Sequence, residues 1–220
     1  MKVIKGVIII KKILITILVV IVILVGGAYY MLIPQKKVSI NEDAKVITTE
    51  ELLKGNFIES FEILKNPIRL EGSLAVSSNE FKDIIYTIMT KYNIEELRYS
   101  NIYLNDNFIK VIMPYKLLNF IDTQLEMKIY PTIIDNNLYL KLKDFKIGKI
   151  KVNDSIVESI LETNANNLPF VVEKNVIIVD KSYTGPIKIE NIKVKEDKII
   201  VDIIVSATDA IEYIVNYNTN

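Results

Sequence analysis

The chain has 220 residues, half of them hydrophobic, and it has no cysteine, histidine or tryptophan. Disulfides, zinc–thiolate sites and Ser-His-Asp or Cys-His catalysis are therefore excluded. The formal net charge is zero, but six of the 27 basic residues precede the first acidic residue, Glu42, which leaves 21 basic against 27 acidic residues after it. A mildly acidic remainder is a poor candidate for binding nucleic acid, and we expect no nucleic-acid partner.

A basic N-terminus, residues 1–12, is followed by the uncharged run ILITILVVIVILVGGAYYMLI. At 1.5 Å per residue, a helix of this length covers roughly 30 Å, the thickness of the hydrocarbon layer. We predict a transmembrane helix over residues 13–33 that contacts the membrane from Ile13 to Ile33, with Tyr29 and Tyr30 at the interface. A cleaved signal peptide and a buried soluble helix are the alternatives, but a signal peptide has a shorter apolar run of about 7–15 residues.

The distribution of lysines around this run predicts its orientation. Four lysines precede the run, whereas two follow it directly and are succeeded by Glu42 and Asp43. Because positive charge is retained in the cytoplasm, we expect a single-pass protein of the cell membrane with a cytoplasmic N-terminus and an extracytoplasmic C-terminal domain.

After a membrane-proximal connector over residues 34–66, an α+β domain is expected over residues 67–220. Alternation in IRLEGSLAV predicts a strand, and Ser77 and Glu80 form a capping box that begins a helix over residues 78–92. Two interpretations of this helix are open. It packs on a sheet, which we favour, or it lies on the membrane surface.

Strands are predicted near residues 98–104, 108–114, 123–134 and 138–150, with turns at Asn105–Asn107 and Asp135–Asn137. The apolar residues change phase between Leu142 and Phe145, which predicts a bulge or bend near Lys143 and Asp144. Gly148 and Gly185 are expected at turns or bends.

A second short helix is predicted after a cap at Asn153 or Asp154, ending near Asn164. The segments FVVE, VIIVD, PIKIENIKV and KIIVDIIVSA then predict four strands, the last two joined at Glu196–Asp197. The fold class is therefore α+β, an N-terminal transmembrane helix followed by a predominantly antiparallel β-sheet domain with two packed helices.

No pattern predicts catalysis, a cofactor or a metal site. The carboxylate pairs Glu95–Glu96 and Glu196–Asp197 are adjacent in sequence, whereas paired acid catalysis needs two carboxylates that converge across a cleft. Asn105–Asn107 and Asp135–Asn137 offer oxygen atoms without the ligand spacing of an EF-hand, and hairpin turns explain both. No phosphate-binding glycine motif occurs. We expect a protein that is not an enzyme.

The segments GSLAVSSNEFKDIIYTIM, DFKIGKIKVNDSIVESIL and PFVVEKNVIIVD follow one another in an order that resembles the YpmS-type family of Gram-positive single-span membrane proteins. IGKIKV stands in the place of that family's LGSLNLP-like segment, and Asn153 stands where the family commonly has proline. The likeness covers roughly residues 67–205. The family has no established catalytic residues, so none are carried over.

The layout also resembles tubular lipid-binding domains, in which long sheets curl around helices and enclose an apolar groove. That likeness is one of fold only. It implies a groove for which we expect the lining residues Phe81, Ile85, Ile88, Leu140, Phe145, Ile160 and Leu161. The expected function is binding of a lipid or a lipid-linked envelope molecule. The alternative is a protein-interaction domain or accessory subunit that serves an envelope assembly or a secreted enzyme.

Overall fold

A computed structural model describes residues 2–34, 37–38, 44–47, 58–91, 100–164 and 170–211 of the chain. Its helices are α1 (Lys2–Leu32), α2 (Ser78–Lys91) and α3 (Asp154–Asn164), with a 3-10 helix over Lys181–Thr184. Its strands are β1 (Ile58–Lys65), β2 (Ile68–Ser77), β3 (Asn101–Asn105), β4 (Phe108–Leu117), β5 (Ile121–Ile134), β6 (Asn137–Ile147), β7 (Ile150–Lys151), β8 (Val171–Glu173), β9 (Val176–Val179), β10 (Ile187–Val194) and β11 (Lys198–Ser206). The predicted α+β fold class is confirmed.

Helix α1 contains a segment long and apolar enough to cross a membrane. The 18 residues Ile15–Leu32 have a mean hydropathy of 2.5, and none of them is buried in the protein. A core helix of a soluble protein would be mostly buried, so this alternative does not fit. The helix is compatible with a membrane anchor, and a signal sequence near the N-terminus also meets these criteria of length and composition.

The strands form two antiparallel sheets, which we call the small sheet and the large sheet. The small sheet has the order β1-β2-β11-β10, and the large sheet has the order β3-β4-β5-β6-β9-β8 with β7 paired to β6. Strand β1 lies inside the range 34–66 that was interpreted as a connector, and it pairs with β2 from Ile58 to Lys65. The small sheet therefore begins at Ile58. Residues 35–36, 39–43 and 48–57 of that range lie outside the described residues.

The core lies where the two sheets face each other. Ile109, Met113 and Ile199 are among its most deeply buried side chains. Phe81 and Ile85 of α2 pack against the same cluster, so the interpretation of α2 as a helix packed on a sheet is confirmed. Each buried aliphatic or aromatic side chain contributes about 1.5–3 kcal/mol through removal from water.

Both predicted helix caps are present. The Ser77 N–H donates to Glu80 Oε2 over 2.7 Å, and the Glu80 N–H donates to Ser77 Oγ over 3.4 Å. At α3, the Ser155 N–H donates to Asn153 Oδ1 over 3.1 Å. These bonds satisfy backbone donors that have no partner inside the helix.

The predicted bulge near Lys143 and Asp144 is also confirmed. Lys143 pairs with Lys128 and Lys146 pairs with Glu126, so two residues of β6 oppose one of β5. Asp144 has a positive φ of 55°. The extra residue returns the apolar positions of β6 to the side that faces the core.

One carboxylate joins three strands of the small sheet. Asp202 of β11 accepts a hydrogen bond from Ser73 Oγ of β2 over 2.6 Å and another from Asn191 Nδ2 of β10 over 2.9 Å. The hydrogen bond from Ser73 holds the pKa of the Asp202 carboxyl below its ordinary value, and that from Asn191 acts in the same direction.

Candidate functional site at the end of the anchor helix

The C-terminal end of α1 is bound directly to the large sheet. Thr123 Oγ1 donates to the Leu32 carbonyl over 2.5 Å, and the Lys149 N–H donates to the Met31 carbonyl over 2.9 Å. Lys149 Nζ donates to the Tyr30 carbonyl over 3.2 Å. The last carbonyls of a helix have no partner within it, so the domain supplies the donors that these groups lack. We call these three bonds the docking contact.

Gly148 lets the helix end approach the sheet. Its φ is +60°, and its N–H donates to the Gln124 carbonyl over 2.9 Å. A Cβ at this position would overlap the Leu32 carbonyl oxygen and would lie 2.6 Å from the Leu32 carbonyl carbon. Both the backbone conformation and the close approach therefore require glycine.

Lys149 adds a charge interaction to the docking contact. Its Nζ lies 3.4 Å from the centroid of the Tyr30 ring. An ammonium group over an aromatic face is attracted by the ring, and a cation at a helix C-terminus is attracted by the helix dipole. The sequence indicates Gly148 as a bend and Tyr30 as an interface residue, but it gives no signal for Thr123 or Lys149.

A cleft of about 480 Å³ lies beside the docking contact, between the chain that leaves α1 and the paired strands β4 and β5. We call it the junction cleft. Its lining residues are Pro34, Lys37, Val38, Pro114, Tyr115, Lys116, Asp122, Thr123 and Gln124. Two of these residues, Lys37 and Lys116, are lysines. Lys116 Nζ lies 3.8 Å from Asp122 Oδ1, so the charge of Lys116 is partly neutralised. The cleft combines apolar walls with cationic groups.

Lysines on the outer face of the large sheet are matched by carboxylates. Glu126 Oε1 lies 3.2 Å from Lys110 Nζ and 3.3 Å from Lys146 Nζ, and Asp144 Oδ2 lies 2.8 Å from Lys128 Nζ. Burial opposes ionisation of Glu126, yet its two lysine partners hold its pKa below the ordinary value. The hydrogen bond to Lys128 lowers the pKa of Asp144. These ion pairs link neighbouring strands and explain the charges without a ligand.

The seven residues of the predicted groove are distributed over two helices and one strand. Phe81 and Ile85 pack against the core, and Ile88 is partly buried on the same helix. The others belong to β6 and α3: Leu140, Phe145, Ile160 and Leu161. The side chain of Ile160 lies outside the described part of the chain. None of the six described side chains lines the junction cleft, and the groove stays a prediction.

A second cleft, of about 530 Å³, lies at the opposite end of β5. Its lining is largely polar: Ile133, Asp135, Asn136, Glu190, Asn191 and Asp202. Asp135 and Asn136 have positive φ values of 53° and 65°, as a tight hairpin turn requires, and the predicted turn is confirmed. Within the described residues, no group of three or more acidic side chains is arranged to hold a metal ion.

Comparison of the chain with protein-family models, curated proteins and solved structures returns no significant match. The resemblance to the YpmS-type family therefore stays a prediction.

Proposed function

We propose that this chain is a membrane-anchored, non-enzymatic domain on the extracytoplasmic side that binds a lipid or lipid-linked envelope molecule in the junction cleft. The docking contact carries this proposal. Because three hydrogen bonds hold the end of α1 against the large sheet, a membrane-spanning α1 would place the cleft at the bilayer surface. A cleft of about 480 Å³ falls within the usual size of small-molecule sites.

The lining of the junction cleft supports a headgroup that contains phosphate. Lys37 and Lys116 supply ammonium groups, which bind phosphate as point charges, while Pro114 and Val38 supply apolar walls for the adjoining glycerol or acyl carbons. Asp122 favours a ligand that also offers a hydroxyl or amine donor. The four lysines that precede the apolar run support the extracytoplasmic orientation.

The proposal is tested by native mass spectrometry of the full chain, released from nanodiscs of phosphatidylcholine and phosphatidylglycerol. We expect wild type to retain phosphatidylglycerol and the double variant K37E/K116E to lose it. At about 1 kcal/mol for each lysine near an anionic lipid, removal of two lysines weakens retention by roughly thirtyfold.

The matched control is K181E/K195E, which makes the same change in charge at the opposite end of the strands. Lys181 follows β9 where that strand ends beside Leu138, and Lys195 follows β10. This variant should retain lipid as wild type does. A wild-type chain that retains no lipid, or a K37E/K116E chain that retains as much as wild type, would contradict the proposal.

A second candidate function, a protein-interaction domain, is favoured by the edge of the small sheet. Ile63 of β1 and Ile68 of β2 are 70% and 63% exposed, and Phe61 lies beside them on the outermost strand. An apolar edge strand is a usual place for another chain to add to a sheet. A photocrosslinker at Ile63 that captures an envelope protein, in a chain that retains no lipid, would support this candidate over the first.

A further inference from the structure

The turn between β4 and β5 exposes two large apolar side chains. Leu117 pairs with Ile121, and the three residues between them form the tip, with Leu118 and Phe120 exposed by 70% and 72%. By comparison, Leu24 in the middle of the apolar segment of α1 is 66% exposed. Leu118 and Phe120 are thus as exposed as a side chain of α1 that would face lipid.

The turn itself does not explain why a leucine is present. Leu118 and Asn119 have φ values of 52° and 64°. Asparagine and glycine adopt this left-handed conformation readily, whereas a leucine there is a steric outlier. At the other end of β5, the hairpin turn has Asp135 and Asn136 at the two positions with positive φ. Leu118 is therefore unfavourable for the conformation of the turn, so we expect its side chain to serve a function other than turn formation.

The position of the turn supplies that role. Thr123 of β5, which donates to the Leu32 carbonyl, comes three residues after Phe120. At about 3.3 Å per residue, Phe120 lies roughly 10 Å along the chain from Thr123, the residue that contacts the end of α1. Lys116 precedes the tip and Lys149 lies over Tyr30, which gives this end of the domain the lysines and aromatic residues typical of a membrane interface.

We propose that Leu118 and Phe120 insert into the outer leaflet of the bilayer that α1 spans, so that the β4–β5 turn is a second membrane contact. This inference rests on the membrane anchoring in the proposed function and goes beyond it. Together with the docking contact, the second contact fixes the tilt of the domain and directs the junction cleft towards the lipid surface. The occupant of this apolar tip is the lipid of the chain's own membrane.

The test uses the absence of cysteine from the chain. In the full chain, Asn119→Cys and Asn136→Cys are labelled separately with an environment-sensitive fluorophore and reconstituted into vesicles of phosphatidylcholine and phosphatidylglycerol. The two positions are matched, because both are asparagines with φ near 65° in tight turns of β5. A nitroxide on the lipid acyl chain near the headgroup should quench the label at residue 119 several-fold more than the label at residue 136.

The double substitution L118N/F120S should reduce quenching at residue 119 to the level seen at residue 136. Because asparagine suits the left-handed position, the thermal unfolding temperature should not fall, which separates lost insertion from lost folding. Equal quenching at the two positions, or quenching unchanged by L118N/F120S, would overturn the proposal. Flotation of the chain with the vesicles and lipid retention in native mass spectrometry, measured on the same samples, report separately on the anchor and the junction cleft. A chain that does not float would overturn the anchor and the second contact together.

Discussion

Replacement of Gly148 by alanine is expected to release the end of α1 from the domain. The new Cβ would overlap the Leu32 carbonyl oxygen and would lie 2.9 Å from the Leu32 Cα. The left-handed backbone at φ +60° adds about 1–2 kcal/mol for a residue with a side chain. Displacement of the helix would also break the docking contact, at about 0.5–1.5 kcal/mol for each hydrogen bond. Because the helix end can move away as a unit, the contact should open while the sheets stay folded.

Spin labels at Ala28→Cys and Lys151→Cys, in the otherwise cysteine-free chain, measure this opening by pulsed electron resonance. Wild type should give one narrow distance distribution, and Gly148→Ala should give a broad one. Gly185→Ala is the matched control, since Gly185 also has a φ of 60° but follows the 3-10 helix away from α1. A narrow, unshifted distribution for Gly148→Ala would show that α1 is not held by this contact.

Replacement of Gly72 by alanine is expected to displace the edge strand β1 from the small sheet. Gly72 pairs directly with Phe61, whose ring covers the space that a Cβ would fill. The Ser60 carbonyl oxygen would lie 2.6 Å from that Cβ, so the backbone of β1 must move as well as the ring. Overpacking of this kind costs about 1–3 kcal/mol.

A double-mutant cycle with Phe61→Ala separates the ring from the backbone. Removal of the ring should make Gly72→Ala less costly in the free energy of unfolding, while the clash with the Ser60 carbonyl should leave part of the loss. Amide hydrogen exchange should accelerate in β1 and β2 of Gly72→Ala and stay unchanged in the large sheet. Additive effects of the two substitutions, or unchanged exchange in β1, would contradict the close packing of Phe61 on Gly72.

Local patterns predicted much of the fold. The change of phase between Leu142 and Phe145 indicated the bulge at Asp144. In a regular strand, side chains alternate between the two faces, so apolar residues that change phase stay on one face only if an extra residue is inserted. Ser77 and Glu80 indicated the start of α2, since the cap uses side chains three residues apart. In each case the residues that determine the feature are close in sequence.

Other features depend on residues far apart and were not predicted. The division of the strands into two sheets results from the pairing of β2 with β11, which joins segments from opposite ends of the domain. Strand β1 was interpreted as part of a connector because the sequence up to about Asn66 is mixed in character, and the structure shows that its register shifts between Ile58 and Ser60. That shift interrupts the alternation of Ile58 with Phe61 and Ile63 that would otherwise indicate a strand.

The candidate site was the least predictable part of the molecule. Leu32 and Thr123 are 91 residues apart in the chain, and neither residue type indicates a contact between a helix end and a sheet. Apolar residues on α2, α3 and β6 suggested a groove by analogy, whereas the docking contact depends on backbone carbonyls that every sequence has. Gly148 and Tyr30 gave local signals, but these indicated a bend and an interface residue and did not indicate that the two lie at one contact.

Protease accessibility in intact cells tests the membrane-anchored, extracytoplasmic placement of the domain most directly. Protease added to intact protoplasts that express the full chain should remove the residues after Gln35 and leave α1 in the membrane fraction. A domain that is digested only after the protoplasts are lysed would contradict the orientation. Release of an intact domain that lacks its first residues, without added protease, would show that α1 is a signal sequence and not an anchor.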